Sequence, residues 1–279
     1  MADEKLIPID VVDLLPQLDS KLLELLRSLS PQEWQQQTIA KWWKVKDVAA
    51  HLLDGNIRIV SMLRDNYYGE EANIRSKQDL LDFLNRLNAD WVKAMQRVSP
   101  EMLILLHEIT GPLYYNYYKS LDPFDKAGFA VDWAGEQESK NWMHIAREYT
   151  EKWLHQQQIR DAVNNTELMT RHFYYPFIDT FMMALPYTYR DITTAAGTCI
   201  QLTVTSAAGG DWFLIRANNK WELKKDTPPN IDTAISIDPA IAWKLLSKSI
   251  RPAAIRDRVI ITGNEKLGET ALTMVSVMA

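Results

Sequence analysis

The first part of the chain, up to about residue 188, carries the hydrophobic spacing of amphipathic helices. Between residues 11 and 29, apolar side chains recur every three or four positions, which places them on one face of a helix. The same spacing runs through residues 45–65 and 76–99, and a long helix is predicted over 136–163. Four substantial helices with mixed loops favour a four-helix bundle.

The segment from residue 111 to residue 134 interrupts this helical pattern. It contains Gly, Pro and Asp together with many aromatic residues, and it shows no clean period. We therefore expect a long irregular connection, either a functional loop or a packed crossover loop.

After about residue 190 the pattern changes to the alternation of strands. Residues 199–206 alternate apolar and polar positions, and residues 211–225 indicate a hairpin that turns at Asn218-Asn219. Further strands are predicted over 233–238 and 258–263, with a short helix from Asp238-Pro239 to Leu246 and a final helix over 264–278. The predicted fold is thus a helical bundle over residues 1–188, followed by a small α+β domain over residues 189–279.

Composition and charge restrict the classes of function. Hydrophobic residues make up 47% of the chain and charged residues 24%, a normal globular balance. The net charge of −5 argues against a nucleic-acid partner. One cysteine, an acidic N-terminal stretch and the absence of an apolar run of about 20 residues lead us to expect a cytoplasmic protein without a membrane partner.

The chemistry-bearing pattern lies in the predicted helix over 136–163. Glu151 and His155 are four residues apart, so they share a helix face, and His51 lies among apolar residues of another predicted helix. Two histidines and one carboxylate would leave an open coordination position, as in catalytic zinc sites. However, most such Glu/His pairs are ordinary surface pairs, and His144 and Glu148 lie on the same stripe as Glu151 and His155. Spacing alone does not select the ligands.

A family resemblance narrows this choice. The stretch WWKVKDVAAHLLDGN resembles the N-terminal motif W-x-V-x-D-V-x-x-H-L-x-D of the mycothiol-dependent maleylpyruvate isomerase family, part of the DinB-like superfamily of metal-binding bundles. The matching residues are Trp43, Val45, Asp47, Val48, His51, Leu52 and Asp54. The pair Glu151-x-x-x-His155 resembles the second metal motif of that family, and the C-terminal part resembles its smaller, sterol-carrier-like α+β domain.

The resemblance implies a metal site formed by His51, Glu151 and His155, with zinc as the expected ion. Asp54, His144 and Glu148 are then candidates for side chains that support the ligands or line the pocket. The open position would hold a thiolate. We expect Cys199 to be a buried small residue, so the thiol would come from a low-molecular-weight cosubstrate.

The expected function is therefore that of a metal-dependent and thiol-dependent enzyme, an isomerase or a thiol S-transferase acting on a small electrophile. Two alternatives remain open: a non-catalytic protein that binds a metal and an apolar ligand, and a metal-activated hydrolase. The resemblance also implies an assisting arginine in the C-terminal part. Its candidates are Arg251, Arg256 and Arg258, and nothing in the sequence selects one.

Overall fold

The computed structural model describes residues 6–70 and 72–276, and the chain divides into two compact units. The first unit reaches to Gly128 and also includes Lys140–Thr166, and the second comprises Phe129–Ser139 and the residues from Glu167 onward. The second unit thus begins earlier than the sequence-based boundary after residue 188, because the helix at Arg171–Met182 bonds to the C-terminal elements. Its Asp179 accepts a hydrogen bond of 2.8 Å from Trp212.

The first unit is a helical bundle. Its five helices are α1 Leu15–Ser28, α2 Val45–Ile59, α3 Lys77–Met95, α4 Pro100–Lys119 and α5 Asn141–Ala162. Helices α1, α2, α4 and α5 pack against one another, whereas α3 packs against α2 and buries only Val92 among its described side chains. The predicted helical bundle is confirmed, and α4 adds a fifth helix to the four that the sequence predicts.

Helix α4 corrects the expectation of an irregular segment that begins at residue 111. The helix continues through Gly111 and Pro112, although proline removes a backbone donor and normally breaks a helix. Burial of Leu103, His107 and Tyr114, among others, offsets that cost. Gly111 packs closely against α1: a Cβ atom there would lie 2.4 Å from Oδ2 of Asp19, so the Asp19 side chain would have to move.

Helix α5 begins at Asn141, five residues later than predicted. The preceding residues form local bonds that compete with a helix: Ser139 Oγ donates to the Glu136 carboxylate and accepts from the backbone N–H of Val131 at 2.8 Å. Lys140 pairs with Lys126 in an isolated bridge. Helix α5 then runs for 22 residues, and its burial on most sides shows that it is the central helix of the first unit.

The second unit contains the sheet. Its elements are α6 Arg171–Met182, α7 Leu185–Thr188, β1 Cys199–Val204, β2 Gly210–Ala217, β3 Lys220–Lys224, β4 Thr233–Ile237, α8 Pro239–Leu246, β5 Val259–Gly263 and α9 Glu265–Ala271. Strand β1 pairs parallel with β4, the other neighbouring strands are antiparallel, and the strand order is β3-β2-β1-β4-β5. The predicted α+β class of this part is confirmed.

Local signals in the sequence account for several of these bounds. Asn218 adopts a φ of 51° in the turn between β2 and β3, a conformation that asparagine tolerates well. Asp238 caps α8 by accepting a hydrogen bond of 2.8 Å from the N–H of Ala240. Helix α9 ends at Ala271, earlier than predicted, and residues 277 and 278 of the predicted helix lie outside the described residues.

Within the ranges that the structure describes, no helix is both long and apolar enough to cross a membrane.

Candidate metal-binding site

The fold brings the three predicted ligands together on two packed helices. His51 lies on α2, and Glu151 and His155 lie on α5. The imidazole rings of His51 and His155 meet edge to face, with centroids 4.5 Å apart. Nε2 of His155 lies 3.5 Å from Oε2 of Glu151. Two histidines that are far apart in sequence are thus neighbours in the bundle.

The three side chains are neighbours without forming a closed ligand set. Among residues 6–70 and 72–276, no three His, Cys, Asp or Glu side chains are grouped in the arrangement of a metal site. Glu151 and His155 approach each other directly, while His51 faces the ring of His155.

The surroundings of His51 are apolar and positively charged. The Trp43 ring lies against the imidazole, with centroids 4.7 Å apart, and the buried Nδ1 of His51 has no hydrogen-bond partner. Burial, followed by the nearby His155, Arg58 and Lys152, lowers the pKa of His51 well below its usual value. His51 is therefore a neutral imidazole at neutral pH, which is the form that binds metals.

His155 is oriented by a neighbour on its own helix. Its Nδ1 lies 2.9 Å from Oε1 of the buried Gln158. Because an amide oxygen only accepts hydrogen bonds, Nδ1 must carry the proton. This tautomer leaves the lone pair of His155 on Nε2, the atom that faces Glu151.

The donor types of these three side chains suit a divalent ion, although the side chains are not grouped as a complete ligand set. An unpartnered buried nitrogen on His51 and an oriented Nε2 on His155 are both suitable donors, and Glu151 supplies a carboxylate. Two imidazoles and one carboxylate are donors that zinc commonly takes, and other divalent transition ions bind them as well.

His144 and Glu148 occupy a different cluster, farther toward the start of α5. Arg147 forms an ion pair with Glu148 Oε1 and lies 3.0 Å from Nε2 of His144. Tyr114 of α4 donates a hydrogen bond of 2.8 Å to Oε2 of Glu148. Both carboxylate oxygens of Glu148 are thus bound by groups other than His51, Glu151 and His155.

The neighbours of Glu148 keep its carboxylate ionised at neutral pH. Burial acts to raise the pKa of Glu148, but Arg147, His144 and Tyr114 together hold that pKa well below its usual range. Burial and the Glu148 carboxylate raise the pKa of Tyr114 well above its usual value, so its hydroxyl stays protonated and continues to donate. The cluster is a buried ionic group in which both carboxylate oxygens of Glu148 are paired, whereas Nε of Arg147 has no hydrogen-bond partner.

Lys152 was not singled out from the sequence, although it shares a helix face with Glu148 four residues earlier. Its ammonium group donates to Asn56 Oδ1 and to the Leu52 carbonyl, and it lies 4.3 Å from the centroid of the Tyr114 ring. Burial lowers the pKa of Lys152 to about 8, although Asp19 and Glu148 act to raise it. Beside it is a cavity of about 10 Å³, room for one water molecule.

Asp54 is partly buried and Cys199 is fully buried. Burial raises the pKa of the half-buried Asp54, whereas Arg58 lowers it. Cys199 is buried at the start of β1, with 1% of its surface exposed. The expectation of a buried structural cysteine is therefore met. Another motif residue, Asp47, has a clear structural role: it accepts a hydrogen bond of 3.0 Å from the N–H of Lys44 and caps α2.

The arginines of the second unit divide into exposed and buried ones. Arg251, Arg256 and Arg258 are exposed, and Arg256 pairs with Glu265. Arg216 on β2 is buried instead, with 8% of its surface exposed, and its Nε and Nη1 have no hydrogen-bond partner. It was not considered from the sequence, in which it reads as an ordinary strand residue.

The comparison with known families decides the assignment of the first unit. The family described as "Mycothiol maleylpyruvate isomerase N-terminal domain" matches residues 15–160, more than half of the chain. The chain belongs to this family. The membership confirms the resemblance carried by the motifs at His51 and Glu151, and it confirms the prediction of a maleylpyruvate-isomerase-like enzyme.

Solved structures agree with this family at the level of the fold. The crystal structure of the mycothiol-dependent maleylpyruvate isomerase aligns with a TM-score of 0.54 and 12% identity, covering 90% of this chain and 91% of that chain. A variant of that protein with one histidine replaced by alanine aligns with a TM-score of 0.53 and 12% identity, and it also covers 90% of this chain and 91% of that chain. Among curated proteins, none matches the sequence.

A ubiquinone synthesis protein described as UbiJ-SCP2 covers 37% of this chain at 11% identity. Its TM-score of 0.26 is too low to support a shared fold. The sterol-carrier-like character of the second unit therefore stays a prediction, while its five-stranded sheet with helices is observed.

Proposed function

We propose that this member of the family is a metal-dependent enzyme that uses a low-molecular-weight thiol on a small electrophile, as an isomerase or a thiol S-transferase. The observation that carries the proposal is the edge-to-face meeting of His51 and His155 beside Glu151, at the two motifs of the family. The relatives named mycothiol-dependent maleylpyruvate isomerase support the use of a thiol.

The proposed ligands are the imidazoles of His51 and His155 and the carboxylate of Glu151. A divalent ion bound there, with zinc as the expected one, supplies the Lewis acidity that deprotonates a thiol or a water at neutral pH. With three protein ligands, one position is left for the thiol.

The chain's own residues prepare this chemistry. Gln158 holds the proton of His155 on Nδ1, so that Nε2 is available as a donor. The Trp43 ring covers one side of His51 and keeps water from that imidazole. One carboxylate ligand and two imidazole ligands together contribute one negative charge to a bound ion. A bound divalent ion would therefore keep a net positive charge that favours an anionic fourth ligand.

The thiol is proposed to be a cosubstrate because the chain's cysteine is unsuited to the role. Cys199 is buried, and burial together with Asp232 raises the pKa of its thiol, which disfavours the thiolate. A small thiol that enters from solvent has no such constraint.

Metal binding is tested by elemental analysis of the full chain, expressed in metal-replete medium without a histidine tag. We expect about one divalent ion per chain in the wild type, and a loss of bound metal in His51→Ala and His155→Ala. His172→Ala, an exposed histidine of the second unit, serves as the matched control and should retain the metal. A metal-free wild type would overturn the proposal.

Thiol use is tested on the cobalt-substituted protein. Mycothiol, bacillithiol and glutathione are titrated in turn while the thiolate-to-cobalt charge-transfer band is recorded. A band with at least one thiol, absent in His51→Ala and His155→Ala, supports the proposal. If no thiol gives a band and the protein hydrolyses esters or amides in a metal-dependent way, it is a hydrolase. If there is neither a band nor turnover, it is a non-catalytic metal-binding protein.

A further inference from the structure

Helix α4 carries an apolar stripe on its outer face. Four of its large apolar side chains are exposed: Met102 by 45%, Leu105 by 43%, Ile109 by 54% and Leu113 by 41%. No other helix among the described residues exposes as many large apolar side chains. Together with Asn116 they fall within an arc of about 80° at about 100° per residue. This stripe, residues 102, 105, 109, 113 and 116, is distinct from the face of α4 that packs in the bundle.

The spacing of the stripe is symmetric about its centre. The intervals between the five positions are three, four, four and three residues. A two-fold axis near Ile109 would therefore bring Ile109 against Ile109 of a second copy, and Leu105 against Leu113 of that copy. An interface between identical chains needs this kind of self-complementarity, whereas a contact with an unrelated partner does not.

The charges beside the stripe fit the same antiparallel pairing. Glu101 and Lys119 lie on the same flank of α4, eight residues before Ile109 and ten residues after it. In the antiparallel pair each Glu101 would lie beside Lys119 of the second copy, offset along the helix by about 3 Å. Lys119 already forms an exposed ion pair of 2.7 Å with Asp13 of its own chain, so Glu101 would be a second carboxylate beside the same ammonium group. Glu108, near the centre of that flank, is already neutralised by Arg27 at 2.5 Å, so the two copies of Glu108 would not repel each other strongly.

We propose that the stripe on α4 binds a second copy of this chain, forming a two-fold symmetric dimer with antiparallel α4 helices. Stable interfaces take about 20–30 residues from each partner, and the stripe with its flanks supplies fewer. The dimer is therefore weak and forms only at high protein concentration. The dimer leaves His51, Glu151 and His155 untouched, since none of them lies on α4.

The oligomeric state of the full chain tests this inference by sedimentation velocity at protein concentrations from about 1 to 200 μM. The wild type should shift from monomer toward dimer across this range. Ile109→Glu should stay monomeric throughout, because the two-fold axis places the new charges against each other. Ile260→Glu is the matched control: Ile260 is 66% exposed on β5, and its substitution should leave the dimer unchanged.

The orientation of the helices is tested by charge exchange and by cross-linking. Glu101→Lys and Lys119→Glu should each weaken the dimer about threefold to tenfold, and the double variant should restore it. Ile109→Cys should form an intermolecular disulfide on mild oxidation, whereas Ile260→Cys should not. A wild type that remains monomeric at 200 μM overturns the proposal. A dimer that survives Ile109→Glu does so as well, because its interface must then lie elsewhere.

Discussion

The imidazole rings of His51 and His155 lie edge to face, with their centroids 4.5 Å apart, although the residues are more than 100 positions apart in the chain. Two imidazoles in contact gain little from each other, and the nearby His155 adds to burial in lowering the pKa of His51. A shared ion between them would turn this arrangement into a favourable one, and Glu151 beside His155 would supply the balancing negative charge.

Gln158 is expected to control the affinity for the metal through the tautomer of His155. In Gln158→Leu the acceptor for Nδ1–H is lost, so both tautomers become populated, and metal affinity should fall about tenfold to a hundredfold. The tautomer is read from ¹⁵N chemical shifts of His155 in the metal-free protein, and the affinity from competition with a chelator.

Two variants make this test specific. Gln158→Glu keeps an acceptor and should retain the Nδ1–H tautomer and nearly the wild-type affinity. Gln157→Leu alters the preceding glutamine, whose buried Oε1 has no hydrogen-bond partner, and it should leave both readouts unchanged. An unaltered tautomer in Gln158→Leu would refute the role of Gln158.

The ion pair between Arg147 and Glu148 is expected to matter greatly for stability. Its side chains are 16% and 8% exposed, so Arg147→Met would leave a buried carboxylate without its main partner. The free energy of unfolding should fall by about 3–5 kcal/mol in urea denaturation. Arg86→Met breaks an exposed pair with Glu70 and should leave the free energy of unfolding nearly unchanged. Equal losses in both variants would contradict this account.

The same cluster predicts a pH dependence of stability. The pKa of Glu148 is lower in the folded state than in the unfolded state, where it is near 4.5. Ionised Glu148 therefore contributes to the free energy of unfolding above about pH 4.5, and this contribution is lost as the pH falls below that value. The free energy of unfolding of the wild type should therefore decrease from about pH 5 to about pH 3. Glu148→Gln should be less stable at pH 7 and show a flatter dependence over this acidic range. Parallel curves for the two proteins would show that Glu148 is not responsible.

The glycines of α2 and α4 are expected to respond oppositely to alanine. A Cβ atom at Gly55 meets open space, so Gly55→Ala should stabilise the protein by about 0.5–1 kcal/mol through helix propensity. At Gly111 the new Cβ atom would collide with Asp19, and Gly111→Ala should be destabilising. Thermal denaturation is measured for both variants and for Gly111→Ala combined with Asp19→Ala. If the double variant loses as much stability as the two single substitutions lose together, Gly111→Ala does not act through a collision with Asp19.

Arg216 is expected to lower the free energy of unfolding. Its guanidinium is buried with two unpartnered nitrogen atoms, so Arg216→Met should raise the free energy of unfolding by about 1–3 kcal/mol. Arg258→Met, at an exposed position of the same unit, should change it by less than about 0.5 kcal/mol. The comparison is made by urea denaturation in a buffer without phosphate or carboxylate. A loss of stability in Arg216→Met would show that the guanidinium is well paired.

Much of the fold follows from local patterns in the sequence. The period of the apolar residues predicts α1, α2 and α3, and the alternation after residue 190 predicts the strands. The caps at Ser76 and Asp238 mark where helices begin. These signals are local because backbone geometry, side-chain periodicity and capping depend on residues only a few positions apart. The shared face of Glu151 and His155 is determined in the same way.

Other features required the tertiary structure. Helix α4 has apolar residues on two faces and contains Gly111 and Pro112, so its period is obscured, and its helical state depends on packing against α1 and α2. The approach of His51 to His155 and the separate pairing of Glu148 with Tyr114 join residues on different helices. Spacing along one helix places His144, Glu148, Glu151 and His155 on one stripe but cannot say what faces each of them. Only the packing of α2 and α4 against α5 decided that, because the chemical role of a buried side chain depends on the groups that other elements bring to it.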